Sequence, residues 1–465
     1  MNLIEAFLTQ VDARPEAAAL ITPKDEIISF AELSRRSAVR AHAMAAAGIG
    51  PGDIVLIARG VSPELYETLL AVFRLGAVAM FPEPSAGLKG LRLAAQAAKP
   101  KAIAAGRLGK VIRLAILELW SLKVLPDGDE AARDELAHLP GSAPALITFT
   151  SGSTGRPKGI VRSADFLMLQ HTLLEQLRKT TPEDVDLISL PVFILSNLAA
   201  GAASVIPAGR LTRPAELDGE VLREQIADHG VNRIVAPPAV CARIAEEAVP
   251  MTWVQAVFTG GGPVLPNLMH AVARAAPNAA IHAVYGSTEA EPIAHLEMKD
   301  ISNADWAAMS EGKGLLAGKP ISQIAVELRD DEVFVAGPHV NTGYLNPEDD
   351  TSTKSMKNGQ LWHRTGDAAR FDEQGRLWLL GRKEAASGGL FPFAVETAAL
   401  SWPGVEQAAL VGKILAVAGD NMVDADIDAR AKALGDIEVV KLPEIPMDKR
   451  HNSKADYARL RKQLG

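Results

Sequence analysis

The chain has 465 residues, of which 48% are hydrophobic and 22% charged, an ordinary globular composition that argues against disorder and low-complexity repeats. The formal net charge of −8 argues against broad electrostatic binding to nucleic acid. Cys241 is the one cysteine, so an intramolecular disulfide and a four-cysteine zinc site are excluded, and a reducing, cytoplasmic environment is expected.

Two segments bear on membranes, and neither predicts a membrane span. The ten N-terminal residues include Glu5 and no basic residue, which argues against a signal peptide. The run between Asp186 and Arg210 is uncharged and long enough to cross a bilayer, but Pro191 and Pro207 interrupt it. We therefore expect this run to be buried in the protein core.

The first 290 residues alternate helix and strand patterns. Ser29 and Glu32 have the spacing of a capping box, which predicts a helix that starts there and runs towards Ala47. The further predicted elements are the strand Ile54–Ala58, the helix Pro63 to Gly76, the strand Ala77–Phe81, the helix Leu222–His229, the strand Arg233–Ala236, the helix Leu265–Ala275 and the strand Ala280–Val284. This alternation predicts an α/β fold with layered, mostly parallel sheets.

The pattern of predicted elements changes in the last third of the chain. Short β-like runs at Ile324–Leu328, Glu332–Ala336 and Arg376–Leu380 predict a β-rich subregion. The residues after Gly381 predict a compact α+β module with a basic tail. We therefore predict two domains: a large multi-layer N-terminal region, residues 1–381, and a small mobile C-terminal domain, residues 382–465.

A loop rich in glycine and hydroxyl groups, Thr150-Ser-Gly-Ser-Thr-Gly-Arg-Pro-Lys-Gly159, follows the predicted strand Ala145–Phe149. Glycines let a backbone turn and approach an anion closely, while hydroxyls, main-chain N–H groups and Lys158 can donate to phosphate oxygens. The motif differs from a Walker A loop because a glycine follows the lysine. A flexible linker is the alternative, but the loop leaves a buried strand and contains Pro157. We interpret it as a phosphate-binding loop.

Further motifs follow in a fixed order: Phe30-Ala-Glu-Leu33 with Gly52-Asp53, Gly260-Gly-Gly-Pro263, Tyr285-Gly-Ser-Thr-Glu289, Thr365-Gly-Asp367 and Gly381-Arg382-Lys383. Together with the loop, this order resembles the acyl-adenylate-forming (ANL) superfamily of acyl-CoA synthetases, adenylation domains and luciferases, over nearly the whole chain. Taken alone, each motif also fits a structural role; Tyr285 can be a core aromatic, Asp367 a turn residue and Glu289 a solvated acid. The shared order favours the functional interpretation.

The resemblance implies a role for each motif. Tyr285 would pack on adenine, Thr288 would contact the α-phosphate, and Glu289 would help to hold Mg²⁺. Asp367 would take the ribose hydroxyls, with Arg382 as a second ribose contact beside the interdomain hinge. The remaining ATP-binding residues that it implies are Thr150, Ser151, Gly152, Ser153, Thr154, Gly155, Lys158, Gly260, Gly261 and Gly262.

The resemblance also implies a mobile catalytic lysine near the C-terminus. A carboxylate that attacks the α-phosphorus of ATP meets anion–anion repulsion, so the site must supply cations and hold the attacking oxygen in line. Lys454 matches the terminal lysine motif, with Lys449 as the rival and a solvated basic tail as the structural alternative. Ser453 and Tyr457 stand where the family has Gly and Arg.

Two departures concern the second half-reaction, in which the family's small domain rotates to admit a thiol. The segment Gly381–Gly389 is about two residues shorter than the family's hinge segment, and Glu384 occupies the usual hinge position of Asp or Lys. They put the thioester step in more doubt than the adenylation step.

Short stretches suggest a subfamily. Ile194 replaces the His common in acyl- and aryl-CoA ligases, while Ser204–Pro207, Thr212–Ala215 and Arg450–Lys454 are similar to the β-lactone synthetases of olefin biosynthesis. In those enzymes the 3-hydroxyl of the acyl-adenylate displaces AMP without a thiol.

The acid pocket is expected at Phe193, Asn197, Pro238 and Gly286, and its apolar residues predict an apolar or fatty carboxylic acid as substrate. Asn197 can bind a substrate hydroxyl or be a satisfied core group. We therefore expect an ATP- and Mg²⁺-dependent acid–thiol ligase that uses CoA or a carrier-protein pantetheine. The alternatives are lactone closure and a catalytically impaired binding protein.

Overall fold

The computed structural model describes residues 1–82, 87–128, 131–132, 135–151, 156–246, 249–448 and 454–465. They form two compact units, each built from three stretches of chain. The first unit comprises Met1–Leu211, Glu224–Val235 and Pro338–Lys354, and the second comprises Thr212–Arg223, Ala236–Gly337 and Ser355–Gly465.

Helices and strands occur throughout both units. The helices are α1 (Leu3–Ala13), α2 (Phe30–Ala46), α3 (Pro63–Arg74), α4 (Gly87–Ala98), α5 (Arg107–Leu114), α6 (Ala164–Arg178), α7 (Pro191–Ala200), α8 (Gly219–Asp228), α9 (Pro238–Ala245), α10 (Pro266–Ala275), α11 (Asn303–Ser310), α12 (Pro392–Ala399), α13 (Asp424–Leu434) and α14 (Tyr457–Leu464). The strands are β1 (Ala18–Ile21), β2 (Ile27–Ser29), β3 (Ile54–Ala58), β4 (Val78–Phe81), β5 (Ala102–Ala105), β6 (Lys123–Val124), β7 (Pro144–Ser151), β8 (Pro157–Ser163), β9 (Val185–Ile188), β10 (Ala203–Val205), β11 (Arg233–Ala236), β12 (Ala256–Gly260), β13 (Ala280–Ser287), β14 (Ala290–Glu297), β15 (Leu315–Pro320), β16 (Ala325–Arg329), β17 (Glu332–Ala336), β18 (Lys354–Lys357), β19 (Gln360–Phe371), β20 (Leu377–Arg382), β21 (Gln407–Val411), β22 (Ile414–Ala418) and β23 (Glu438–Lys441).

The first unit contains two mostly parallel strand arrays. One has the order β6-β5-β3-β4-β7-β8, and the other has the order β11-β9-β10-β1-β2. The pairs β7–β8 and β1–β2 are antiparallel, while the remaining pairs are parallel. The predicted α/β class with parallel sheets is confirmed.

Local sequence signals set the ends of several elements. Ser29 caps α2 by accepting the main-chain N–H of Glu32 at 3.2 Å. Only the serine half of the predicted capping box forms, because the Glu32 carboxylate binds Arg35 and Arg36 instead of the Ser29 N–H. Gly76 has φ +62° just after α3, as the C-terminal glycine signal predicts.

The second unit carries the β-rich subregion. Its strands follow the order β16-β17-β19-β20-β15-β14-β13-β12, and only β12 and β13 pair in parallel. The predicted runs Ile324–Leu328 and Glu332–Ala336 correspond to β16 and β17, which pair directly. Antiparallel pairing allows these short connections, whereas parallel strands need a crossover.

The residues after Gly381 also form a compact α+β arrangement within the second unit. The sheet β21-β22-β23 has apolar groups on both faces, since Leu415 and Val417 join one buried cluster while Ala416 and Ala418 join the other. This alternation is the two-residue period of a strand covered on both sides. The domain boundary at 381/382 and the mobility of the smaller domain stay predictions.

The uncharged run that ends before Arg210 lies in the core. It supplies the end of β9, helix α7 and strand β10, and most of its side chains are buried. Across the described ranges, no helix combines the length and apolarity needed to cross a membrane.

Candidate functional site

The predicted phosphate loop leaves one strand of an antiparallel hairpin and enters the other. β7 pairs with β8, and the register places Thr150 opposite Lys158 and Ser151 opposite Pro157. The backbone is therefore paired at both ends of the loop. The predicted binding residues at its tip, Gly152, Ser153, Thr154 and Gly155, lie outside the described residues.

The base of this hairpin packs against the segment 344–345. Lys158 Nζ lies 5.2 Å from the centroid of the Tyr344 ring, within cation–π range. The Leu345 N–H donates to the Gly159 carbonyl oxygen at 2.7 Å. A Cβ on Gly159 would lie 3.0 Å from Leu345 and from Phe149, so a larger residue would need these side chains to shift. A cation is thus placed at the base of the loop.

The predicted ATP-binding turn Gly260-Gly-Gly-Pro263 follows β12. Gly260 pairs with Val284 of the parallel strand β13, and a Cβ on Gly260 would lie 2.6 Å from the Val284 carbonyl oxygen. Gly261 has φ +76° and forms a bend with Gly262. Both constraints leave little choice but glycine at the first two positions.

Three predicted nucleotide-binding side chains meet in the second unit. Asp367 and Arg382 are direct cross-strand partners on β19 and β20. The Tyr285 hydroxyl donates to Asp367 Oδ2 at 2.8 Å, and Arg382 Nη1 donates to Asp367 Oδ1 at 3.2 Å. We call these residues the Tyr285 cluster. Sequence motifs separated by up to 97 positions are therefore brought together.

Backbone contacts hold the Asp367 turn in place. Arg382 Nη1 also donates to the Thr365 carbonyl oxygen at 2.8 Å, and the Asp367 N–H donates to Thr365 Oγ1 at 3.1 Å. Gly366 has φ +78°, a backbone conformation that glycine adopts without strain. The carboxylate is therefore held between an arginine and a tyrosine on a rigid strand.

The electrostatics of the cluster favour a neutral tyrosine. Burial of the hydroxyl raises the pKa of Tyr285 well above its ordinary value, and the negative charge of Asp367 raises it further. Tyr285 therefore remains a hydrogen-bond donor at neutral pH.

Thr288 and Glu289 form the two-residue turn between β13 and β14, since Ser287 pairs with Ala290. Among the residues that the structure describes, no group of three or more His, Cys, Asp or Glu side chains is placed to hold a metal ion. Mg²⁺ in nucleotide sites is commonly held by one or two carboxylates together with phosphate oxygens and water. The single Glu289 fits a Mg²⁺ carried by a nucleotide.

The predicted acid-pocket residues lie in different surroundings. Phe193 is buried on α7, and the Arg178 guanidinium lies 5.7 Å from its ring centroid. Pro238 is the first residue of α9, and Gly286 lies in β13. A Cβ on Gly286 would lie 3.1 Å from the Ala290 carbonyl oxygen.

Asn197 is fully buried and its amide is occupied by the protein. Its Nδ2 donates to Asp186 at 3.0 Å and to the Ala203 carbonyl oxygen at 3.3 Å, while its Oδ1 accepts from Arg178 at 2.5 Å. Both amide hydrogens are used, which favours the core interpretation over the substrate-binding one. The sequence offered no sign of this network, because its members lie on α6, α7, β9 and β10.

Lys454 lies beside an isolated antiparallel bridge. Met447 and Ala455 form an antiparallel bridge, and the Asp448 N–H donates to the Lys454 carbonyl oxygen at 2.8 Å. The Lys454 N–H donates in turn to Asp448 Oδ1 at 3.2 Å. The rival Lys449 and the variant position Ser453 lie outside the described residues.

A buried carboxyl anchors the helix that follows Lys454. The Tyr457 hydroxyl donates to Glu396 Oε1 at 2.6 Å, and the Leu410 N–H donates to the same oxygen at 2.8 Å. Burial raises the pKa of Glu396 to about 7. Sequence reasoning missed Glu396; its signal is that it is the one charged residue in the otherwise uncharged stretch 391–402.

Comparisons with known proteins place this geometry in context. The family model described as AMP-binding enzyme matches residues 7–345. An olefin beta-lactone synthetase from Stenotrophomonas maltophilia is 29% identical over 94% of this chain and 91% of its own length. An indoleacetate–CoA ligase from Aromatoleum aromaticum is 26% identical over 96% of this chain and 91% of its own length. The crystal structure of ATP-bound MatB from Rhodopseudomonas palustris superposes with a TM-score of 0.83 at 21% identity, covering 100% of this chain and 99% of that one.

Proposed function

The chain belongs to the AMP-binding enzyme family, and from this we propose that it uses ATP to convert a carboxylic acid into an acyl-adenylate, with release of pyrophosphate. The family resemblance deduced from the motifs is confirmed. The Tyr285 cluster carries the proposal, because an aromatic ring, a carboxylate with spare acceptor capacity and a guanidinium on paired strands suit the base and ribose hydroxyls of a nucleotide.

The first step joins two anions. A carboxylate oxygen of the acid attacks the α-phosphorus of ATP and forms a new P–O bond, while the bond to the bridging pyrophosphate oxygen breaks and pyrophosphate leaves with the electron pair. Positioned cations stabilise the charge that develops on the phosphate oxygens. We assign this role to Lys158 for pyrophosphate and to Lys454 for the α-phosphate.

The remaining contacts bind and orient the nucleotide. We assign adenine to Tyr285 and the turn at 260–262, the ribose to Asp367 and Arg382, and the α-phosphate to Thr288. Glu289 would hold Mg²⁺, which supplies charge neutralisation at the phosphates when it is bound. These side chains lie on strands or on tight turns between strands, a placement that limits their motion.

For the second step we propose closure of a β-lactone. The oxygen of a 3-hydroxyl group on the acyl chain attacks the acyl carbonyl carbon; the bond from that carbon to the phosphate oxygen breaks, AMP leaves, and the hydroxyl proton passes to solvent. Similarity to an olefin beta-lactone synthetase over nearly the whole chain supports this step, as do the short hinge segment and Ile194. The apolar side chain of Phe193 supports a fatty acyl chain.

Thioester formation is the second candidate. In this reaction the thiolate of CoA or of a carrier-protein pantetheine attacks the same carbonyl carbon and AMP leaves. Similarity to an indoleacetate–CoA ligase over a comparable share of the chain supports it. The two reactions differ in whether a thiol is consumed.

Pyrophosphate release from Mg-ATP separates these functions. The assay uses medium- and long-chain acids and their 3-hydroxy forms, each with and without CoA, and mass spectrometry identifies the product. Sustained release with a 3-hydroxy acid and no thiol, together with a product lighter than the acid by one water, is the expected result. Release that requires CoA would overturn lactone closure and establish thioester formation. Nucleotide binding without pyrophosphate release from any acid would overturn the enzymatic proposal and favour the binding-protein alternative.

A further inference from the structure

A basic segment lies within this acidic protein. Residues 87–124 contain eight lysines and arginines and one acidic residue, although the whole chain has a net charge of −8. The acidic residue, Glu118, accepts from Arg92 Nε at 2.5 Å and from Gln96 Nε2 at 2.7 Å. Lys89 and Lys110 are exposed. The segment therefore presents a positive surface.

Two further cations bind neutral groups and so keep their positive charge unpaired by these bonds. Arg113 donates to the main-chain carbonyl oxygens of Leu119, at 3.1 Å, and Trp120, at 2.6 Å. Lys123 donates to the Ala47 carbonyl oxygen at 2.8 Å. Carbonyl oxygens are neutral acceptors, so these bonds position the cations without cancelling them.

The same segment exposes large apolar side chains. Val111, Leu114, Leu117 and Trp120 are 63%, 66%, 67% and 57% exposed, all within ten residues. Single exposed apolar residues are common on proteins, but a contiguous group marks an interaction surface. We call these four residues the apolar strip.

The opposite face of the segment packs into the protein core, and the apolar strip takes no part in that packing. Ile112, Ile116 and Leu119 pack in the cluster beneath the sheet β6-β5-β3-β4-β7-β8. Trp120 Nε1 donates to the Leu114 carbonyl oxygen at 3.0 Å, and this bond holds the 3₁₀ turn Leu117–Leu119 against the end of α5. The indole ring still presents apolar surface to solvent. The scaffold of the strip is therefore held in place by the protein itself.

We propose that this segment docks the protein on an anionic phospholipid surface, with the apolar strip at the level of the acyl chains and the surrounding lysines and arginines on the headgroups. Aliphatic side chains with a tryptophan, flanked by long basic side chains, are the composition of peripheral interfacial binding. Positive charge complements an anionic leaflet, whereas a second copy of the chain would bring like charges together. The inference is independent of the proposed function.

Vesicle sedimentation with the full chain tests the proposal. Large vesicles of phosphatidylcholine alone are compared with vesicles that also contain phosphatidylglycerol, at low and high salt. Because each basic residue near such a surface adds about fivefold in affinity, we expect binding to be about 10-fold or more stronger on the anionic vesicles and to weaken with salt.

Two double variants locate the surface. The strip variant, Leu114→Gln with Leu117→Gln, replaces two apolar groups by glutamine, which is a good helix former. The control variant, Met356→Gln with Val423→Gln, makes the same change at two other exposed positions, which are 67% and 57% exposed. The strip variant is expected to lose most vesicle binding and to keep its near-ultraviolet circular dichroism, while the control binds like the wild type.

Four results would overturn the proposal. The first is equal binding to the two kinds of vesicle, and the second is unchanged binding of the strip variant. The third is the loss of an oligomer in the strip variant in the absence of vesicle binding, which would assign the strip to self-association. An acidic protein that binds the strip while anionic vesicles do not would give the surface to that class of partner and would also overturn membrane docking.

Discussion

Two polar clusters in this protein differ in how completely the protein itself satisfies them. In the first unit, Arg178, Asp186, Asn197 and Arg233 form a network in which each residue is buried. Asp186 accepts from Arg233 Nε at 2.7 Å, from Asn197 Nδ2 at 3.0 Å and from Arg178. We call this set the Asp186 network.

The Tyr285 cluster in the second unit is partly open to solvent. The Asp367 and Arg382 side chains are 23% and 58% exposed. The carboxylate accepts one bond from Tyr285 and one from Arg382, and a carboxylate can accept about four. Acceptor capacity therefore remains for the two hydroxyls of a ribose.

The difference separates structural from functional polar residues. The Asp186 network is buried with its charges paired, so it has no acceptor to offer a ligand and its loss acts on folding. The Tyr285 cluster is held on strands and has acceptor capacity left over, so we expect its loss to act on nucleotide binding. The sequence presents both as charged or amide residues beside apolar runs, and only their partners distinguish them.

The largest expected effect comes from breaking the Asp186 network. Asp186→Ala removes the carboxylate from two buried arginines, and an unpaired buried charge costs about 3–5 kcal/mol of unfolding free energy. Denaturant unfolding measures this loss. The control Asp25→Ala breaks the exposed pair with His229 and should cost about 1 kcal/mol or less. Equal losses in the two variants would refute the contrast between the clusters.

Lys454 tests a third arrangement, an exposed side chain next to an isolated antiparallel bridge. Lys454→Ala should lower the rate of pyrophosphate release by about 10²–10³-fold, which is the usual effect of removing one group that stabilises transition-state charge. Nucleotide affinity and unfolding free energy should remain close to those of the wild type. The matched control is Lys462→Ala, an exposed lysine on α14. An unchanged rate in Lys454→Ala would remove the lysine from the mechanism and make Lys449 the next candidate.

Sequence reasoning succeeded where information is local. The strands Ile54–Ala58, Glu332–Ala336 and Arg233–Ala236 have the predicted bounds, because short apolar runs between turn residues determine them. It was incomplete where a side chain has competing partners, as for the Glu32 carboxylate, which pairs with arginines instead of closing the capping box.

The candidate site, like the fold, was predicted where the information is local and missed where it is not. The motifs identified Tyr285, Asp367 and Arg382, and the structure brings them into contact. Periodicity and motif spacing do not reveal partners that are distant in sequence. The saturation of Asn197 and the pairing of Tyr457 with Glu396, 61 positions apart, therefore required the structure.

The buried Glu396 predicts a pH dependence of stability. Its pKa rises from an ordinary 4.5 to about 7 because the carboxyl is buried. Between these values Glu396 binds more protons in the folded protein than in the unfolded chain, so its contribution to the unfolding free energy should fall as the pH rises from 4.5 through 7, by up to about 3 kcal/mol. The partly buried His282, whose pKa is lowered to about 4, contributes with the opposite sign in this range, so the Glu396 contribution is the difference between the wild type and Glu396→Gln. Denaturant unfolding at several pH values measures both slopes. The control Glu406→Gln, at an exposed position of the same module, should keep the wild-type slope. A wild-type slope in Glu396→Gln would show that another group titrates.

The smallest effect in free energy, and the one that defines the Tyr285 cluster, is expected for Asp367→Ala. The loss of a charged acceptor of ribose hydroxyls should raise the KM for ATP by about 10–100-fold, since hydrogen bonds to charged groups contribute about 1.5–3 kcal/mol. Because Asp367 is partly exposed, the unfolding free energy should change much less than in Asp186→Ala.

The decisive readout is the ratio of kcat/KM for ATP to that for 2′-deoxy-ATP. The wild type should prefer ATP, and Asp367→Ala should lose most of that preference because its ribose acceptor is gone. Asp331→Ala, at an exposed turn position, should keep the preference. If Asp367→Ala kept it as well, the carboxylate would serve the Tyr285 and Arg382 side chains alone, and the cluster would be structural like the Asp186 network.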